Sequence, residues 1–117
     1  MTILIVEDNE GMRRLLRAIV CLPLWTCHEC SDSSQVMADC ARHLPDWVLM
    51  ENELKTINGI ALTKQIHASF PESRIVIVTS YDDADLRQAA FHAGATGFVL
   101  KENLIEVRRL LQSSLRQ

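Results

Sequence analysis

Four short apolar runs, each closed by a polar residue, set the rhythm of the chain. Ile3-Leu4-Ile5-Val6 is followed by Glu7-Asp8, Val48-Leu49-Met50 by Glu51, Ile75-Val76-Ile77-Val78 by Thr79-Ser80, and Gly97-Phe98-Val99-Leu100 by Lys101. Runs that are apolar throughout, rather than alternating, predict strands buried on both faces, as in a parallel sheet. A fifth run over residues 25–30 carries polar Thr26, His28 and Glu29 and suits a sheet edge.

Between these runs the period becomes helical. Residues 10–21 place Met12, Leu15, Leu16 and Ile19 on one face and Arg13, Arg14 and Arg17 outside, with a break at Pro23. After a turn rich in capping residues, Ser31-Asp32-Ser33-Ser34, a second stripe runs through Val36, Met37, Cys40, Ala41 and Leu44. Asn58-Gly59 closes a loop over residues 52–59 and opens a helix over 59–69 with Leu62 and Ile66 inward, ended by Pro71. Asp82-Asp83-Ala84-Asp85 charges the start of a helix carrying Leu86, Ala89, Ala90 and Ala93, which Gly94 closes. A last helix over 103–115 turns Leu104, Val107 and Leu111 inward. Five strands alternating with five helices predict an α/β fold of right-handed βαβ units with helices on both faces.

Composition narrows the class without changing this picture. The chain has 117 residues, 48% of them hydrophobic and 23% charged, which suits one domain over residues 1–117. Its last residues read equally as a natural end or as a cut before a linker to a longer protein. The net charge of -3 argues against direct nucleic-acid binding. The absence of a long apolar stretch argues against a membrane span, and the N-terminus lacks the basic region of a secretory signal. A cytoplasmic protein is expected, and in that compartment Cys21, Cys27, Cys30 and Cys40 are expected as free thiols. Cys27-His28-Glu29-Cys30 spells C-x-x-C. On a strand, however, side chains three apart face opposite ways, and no second pair follows at zinc spacing.

The chemistry lies where the runs end. If the strands are parallel, Glu7, Asp8, Glu51, Thr79 and Lys101 meet at one rim, where open α/β sheets bind ligands. Three carboxylates in one place need a counter-charge, and magnesium takes oxygen ligands. A metal, the Lys101 ammonium and the Thr79 hydroxyl together would meet the needs of a phosphoryl group. Taken singly, Glu7 and Asp8 also suit a helix start, Thr79 a strand end, Lys101 a solvated charge and Glu51 a loop acid.

The residues Ile3-Leu4-Ile5-Val6-Glu7-Asp8-Asn9, Pro45-Asp46-Trp47-Val48-Leu49-Met50-Glu51 with Asn58-Gly59, Val78-Thr79-Ser80 and Gly94-Ala95-Thr96-Gly97-Phe98-Val99-Leu100-Lys101 make the chain resemble the receiver domain of two-component response regulators along essentially its whole length. The resemblance implies a flavodoxin-like, doubly wound five-stranded parallel sheet of order 2-1-3-4-5. It implies that Glu7 and Asp8 hold magnesium, with Glu51 and the backbone carbonyl of Glu53 completing the metal set. Thr79 matches the hydroxyl that bonds the phosphoryl group, Phe98 the aromatic switch (ordinary edge-strand packing is its plain alternative) and Lys101 the lysine that pairs with the phosphoryl oxygen. Implied partners are a sensor histidine kinase, a C-terminal DNA-binding output domain and a second copy in a homodimer. Glu102, where many receivers have proline, leans toward the NarL/FixJ-type branch.

One position departs from the family pattern. Glu51 falls where receivers carry the phospho-accepting aspartate, and its extra methylene displaces the carboxylate by about 1 Å, a shift that can cost a positioned reaction about 100-fold. The same reach could bring it to Lys101 or Thr79, mimicking part of a phosphoryl group. The expectation is a signalling domain, not an enzyme, that is phosphorylation-deficient or phosphomimetic. The alternatives are a phosphorylatable regulator seen as an aspartate-to-glutamate mutant and an unrelated flavodoxin-like binder of a nucleotide or flavin. The last lacks a glycine-rich phosphate loop after any strand.

Overall fold

In the computed structural model, residues 1–114 are described, and the predicted alternation is present in full. The strands are β1 (Thr2–Val6), β2 (Thr26–Cys30), β3 (Trp47–Glu51), β4 (Arg74–Thr79) and β5 (Gly97–Leu100). The helices are α1 (Glu10–Val20), α2 (Val36–His43), α3 (Gly59–Ser69), α4 (Ala84–His92) and α5 (Ile105–Ser113). Short 3₁₀ turns at Ser33–Gln35 and Lys101–Asn103 lead into α2 and α5, and Leu115 of the predicted last helix lies outside the described residues. All pairings are parallel, in the order β2-β1-β3-β4-β5. This is the flavodoxin-like order, with the polar residues 26–30 at one edge.

Apolar side chains on the two sheet faces pack under separate helix layers. Leu4, Val48, Met50, Ile75 and Ile77 meet Val36 and Cys40 of α2, Leu62 and Ile66 of α3, and Ala90 of α4. Ile3, Ile5, Leu49, Val76 and Val78 meet Leu16 and Val20 of α1 and Val107 and Leu111 of α5. Burial on both faces is why the central strands read as unbroken apolar runs.

Three helix starts carry side-chain caps, whereas in the turn Ser31-Asp32-Ser33-Ser34 it is the short 3₁₀ turn that Asp32 caps, and α2 follows from Gln35 without one. The side chains of Asn9, Asn58 and Asp83 accept backbone N–H groups in the first turns of α1, α3 and α4. Three predicted inward residues are exposed. Leu44 lies beyond α2 in the left-handed region at φ 46° and is 67% exposed, because α2 ends one residue earlier. Leu15 of α1 and Ala89 of α4 sit at the margins of stripes whose buried positions are Leu16 and Val20, and Ala90.

The free-thiol expectation also needs correction. Cys21, at the end of α1, and Cys27 of β2 are joined in a disulfide with Cα atoms 6.2 Å apart, whereas Cys30 and Cys40 are free and buried. Cys27 packs on the α1 face of the sheet and Cys30 on the other, as strand alternation requires of the C-x-x-C pair.

Candidate functional site

The register of the sheet determines which chain ends meet. Val6 is level with Met50, Glu51 with Val78, and Thr79 with Leu100. Glu7, Glu51, Thr79 and Lys101 therefore leave four neighbouring strands at one rim. The N-terminus of α3 presses against this rim from below. A Cβ on Gly59 would collide with the Glu51 carbonyl oxygen, the Asn52 Cα and the Met50 side chain. Only glycine permits that approach, and the Gly59 N–H donates to the Asn52 carbonyl at 2.8 Å.

Two buried carboxylates face a single ammonium. Lys101 Nζ lies 2.6 Å from Glu51 Oε2 and 3.3 Å from Glu7 Oε1. Glu51 is only 3% exposed and Glu7 is similarly buried, whereas Lys101 retains some contact with solvent. The second Glu51 oxygen, Oε1, accepts the Glu53 N–H at 2.9 Å. Glu7 Oε2 accepts the Asn9 N–H at 3.4 Å, and the Glu7 carbonyl accepts Arg13 Nη1 at 3.0 Å. Burial pushes the Glu7 carboxyl above its ordinary range, the Glu51 charge adds to this, and Lys101 opposes both. For Lys101, burial favours the neutral amine, but the hydrogen bond and charge of Glu51, joined by Glu7, outweigh it and lift the ammonium above the ordinary lysine range.

These groups open on a depression of about 440 Å³ lined by Glu7, Asp8, Asn9, Met12, Glu51, Glu53, Ser80, Tyr81 and Lys101. Thr79 lies just beneath it, fully buried, and its hydroxyl oxygen accepts the Tyr81 N–H at 3.3 Å. Phe98 is packed inward beneath the guanidinium of Arg87, 5.4 Å from its ring centroid. The structure thus gathers Glu7, Asp8, Glu51, Glu53 and Lys101 around one depression and keeps Thr79 and Phe98 in the adjoining core.

The expected magnesium set is not assembled in this arrangement. Among the described residues no three His, Cys, Asp or Glu side chains are grouped to hold a metal ion. Glu7 and Glu51 both turn to Lys101, and Glu53 enters through its backbone N–H. The ammonium supplies the counter-charge that the carboxylates were expected to take from a cation.

Arg13 was overlooked in the sequence because helical spacing put it outside. It bridges the Glu7 carbonyl and Glu29 of β2, with an ion pair of 3.4 Å to the latter. Tyr81 was overlooked too; it follows Thr79 by two residues, a spacing at which side chain-to-backbone turns form.

Comparison with known proteins agrees with the fold. The response regulator receiver domain family matches residues 3–113. An uncharacterized transcriptional regulatory protein of Bacillus subtilis, YxjL, is 30% identical over 98 residues, covering 84% of this chain and 44% of that protein. Sporulation initiation phosphotransferase F of the same organism is 26% identical over 114 residues, covering 97% of this chain and 92% of the relative. A crystal structure of a LuxR-family two-component response regulator from Aurantimonas superposes with a TM-score of 0.88 at 27% identity, covering 98% of this chain and 84% of the other. The chain thus spans less than half of YxjL. With five parallel strands in receiver order and the matched residues running almost from end to end, this chain belongs to the response regulator receiver domain family of two-component signalling.

Proposed function

We propose that this receiver is set by the Glu51 side chain and accepts a phosphoryl group poorly or not at all. In this reading Glu51 holds the position of the family's phospho-acceptor, and Lys101, Thr79 and Phe98 keep their switch roles. The observation that carries it is the state of the carboxylate. Glu51 is buried, one oxygen holds Lys101 at 2.6 Å and the other holds the Glu53 N–H at 2.9 Å. An attacking oxygen needs a free lone pair and access to the donor phosphorus in line. Each Glu51 oxygen has a partner, the Lys101 ammonium on one and the Glu53 N–H on the other, so the carboxylate is held in one buried orientation and in-line attack requires it to turn or to share those partners.

The same contacts make Glu51 a partial substitute for a phosphoryl group. It supplies the Lys101 contact with one negative charge, where a phosphoryl group carries roughly two and has more acceptor oxygens. Thr79, hydrogen-bonded to Tyr81, lies outside that substitution. Receiver domains are signalling modules rather than classical enzymes and generally bind Mg²⁺ at their acidic pocket. Here Glu7, Asp8, Glu51 and the Glu53 backbone carbonyl would hold the ion beside Lys101, and no step of this reading passes through a metal.

Output is read as passing through the face formed by residues 82–111. A cleft of about 460 Å³ there is lined by Arg87, Phe91, Phe98, Leu100, Glu106 and Leu110 among others, and Phe91 is a large exposed side chain within it. The proposed setting is the cytoplasm, with a sensor histidine kinase, a DNA-binding output domain or a second copy as partners. Among the described residues no helix is long and apolar enough to cross a membrane.

Incubation with a small acyl phosphate and Mg²⁺, followed by intact mass measurement, tests the reading. The expected result is no phosphoryl adduct on the chain and an acid-stable, base-labile adduct on Glu51→Asp. An adduct on Glu51 itself overturns it.

A further inference from the structure

The four cysteines form two chemically different pairs. Cys30 and Cys40 are buried, and burial, before any other cause, pushes their thiols up to about 12 and about 11. The thiolate is the reactive form, so these two are inert. Cys21 and Cys27 are only half-buried and are joined across the turn from α1 to the edge strand β2. Their Cα separation of 6.2 Å lies within the range that a disulfide spans without backbone movement.

The surrounding contacts tie this corner to the functional rim. The Cys21 N–H donates to the Arg17 carbonyl at 3.0 Å, and Arg17 Nη1 donates to the Cys27 carbonyl at 3.4 Å and to Glu29 at 3.0 Å. Glu29 also pairs with Arg13, whose guanidinium donates to the Glu7 carbonyl. The turn is short, with Trp25 N–H on the Leu22 carbonyl at 2.9 Å, and it exposes Leu24 at 92%. Among the described strands β2 pairs with β1 alone, and the disulfide adds a covalent link from it to the end of α1.

We propose that Cys21 and Cys27 are a reversible thiol–disulfide site that fastens the edge strand to α1, with a small disulfide as the oxidant. In the forward step the thiolate of one cysteine attacks the small disulfide, forming a mixed disulfide and expelling one small thiolate. The second protein thiolate then attacks the protein sulfur of that mixed bond, forming Cys21–Cys27 and expelling the other small thiolate. Two protein thiols lose two electrons, the small disulfide gains them, and the two protein S–H protons end on the two small thiols. The site is independent of the reading of Glu51.

The test equilibrates the chain in oxidised or reduced glutathione, then traps free thiols and maps them by mass spectrometry. Oxidised glutathione is expected to remove the Cys21 and Cys27 thiols together while Cys30 and Cys40 remain trappable after unfolding. The single variant Cys21→Ser is expected to carry a glutathionyl group on Cys27. Reduction is expected to lower Tm by roughly 10 °C, the scale for opening so short a loop in a domain of this size, and to speed amide exchange across residues 26–30. The double variant Cys21→Ser/Cys27→Ser is expected to lose both responses. Four trappable thiols in oxidised glutathione, or a bond that forms without changing exchange in β2, overturns the proposal.

Discussion

The two ends of the parallel sheet are built from the same strands but handle their polar groups differently. At the amino-terminal rim the groups satisfy one another. The Asp46 carboxylate accepts the Thr2 N–H at 2.8 Å, the Asp46 N–H donates to the Thr2 carbonyl at 2.8 Å, the Asp46 carbonyl accepts the Arg74 N–H at 2.9 Å, and Ser73 Oγ donates to the Pro45 carbonyl at 2.6 Å. At the carboxyl rim Glu7 Oε1 and Glu51 Oε2 are buried and share the Lys101 ammonium as their counter-charge. Polar groups closed on one another hold a structure in place, whereas charges held by a single shared partner leave it poised to rearrange. The proposed function rests on the second rim, where the balance of charge depends on one side chain.

The contrast is broken most directly by removing that side chain. Lys101→Met is expected to lower stability by about 3 kcal/mol in urea unfolding, because two buried carboxylates lose their counter-charge. At the opposite rim Asp46→Ala is expected to cost about 1 kcal/mol, the scale of one hydrogen bond near solvent, with no effect on the Glu51–Lys101 pair as read by the Lys101 Nζ resonance. Glu7→Gln is expected to go the other way, raising stability by up to about 1 kcal/mol, since it relieves two carboxylates sharing one ammonium.

Acidity sharpens the same comparison with a smaller effect. Glu7 is lifted above its ordinary range in the folded chain, so its contribution is fully present below the ordinary carboxylate value and lost as pH rises through the lifted one. Unfolding free energy of the parent chain is expected to gain from Glu7 as pH falls through that window, and Glu7→Gln should remove this component. Lys101 is also lifted, so its contribution is lost only when pH rises through its raised value, above the ordinary lysine range. Equal pH profiles for parent and Glu7→Gln would count against the shared ammonium.

Much of this was legible in the chain because burial writes itself into composition. β1, β3, β4 and β5 are covered on both faces and so read as unbroken apolar runs; β2, covered less, read as the weak edge that it is. The rim residues were legible because polar groups end those runs. Less visible were features that depend on distance in space. Whether Glu51 would reach Lys101 or Thr79 is a matter of one methylene and a rotamer, and the structure selects Lys101. The Cys21–Cys27 link was hidden because Pro23 marks a break after α1 but not how closely the chain returns, and the free-thiol expectation rested on compartment alone. Leu44 was misplaced by extending a helical stripe one residue past the point where the backbone turns left-handed.

The loop from β3 to α3 is fastened at both ends, by the Glu53 N–H on the Glu51 side chain and the Gly59 N–H on the Asn52 carbonyl. Leu54, Lys55, Thr56 and Ile57 therefore span a gap whose endpoints are already fixed. In a library of loop lengths, insertions would be tolerated best beside exposed Lys55, since Leu54 and Ile57 pack on the core and Thr56 meets Ser33, while any shift of Gly59 would be selected out. Diversity among natural variants of this domain should collect in that short arc.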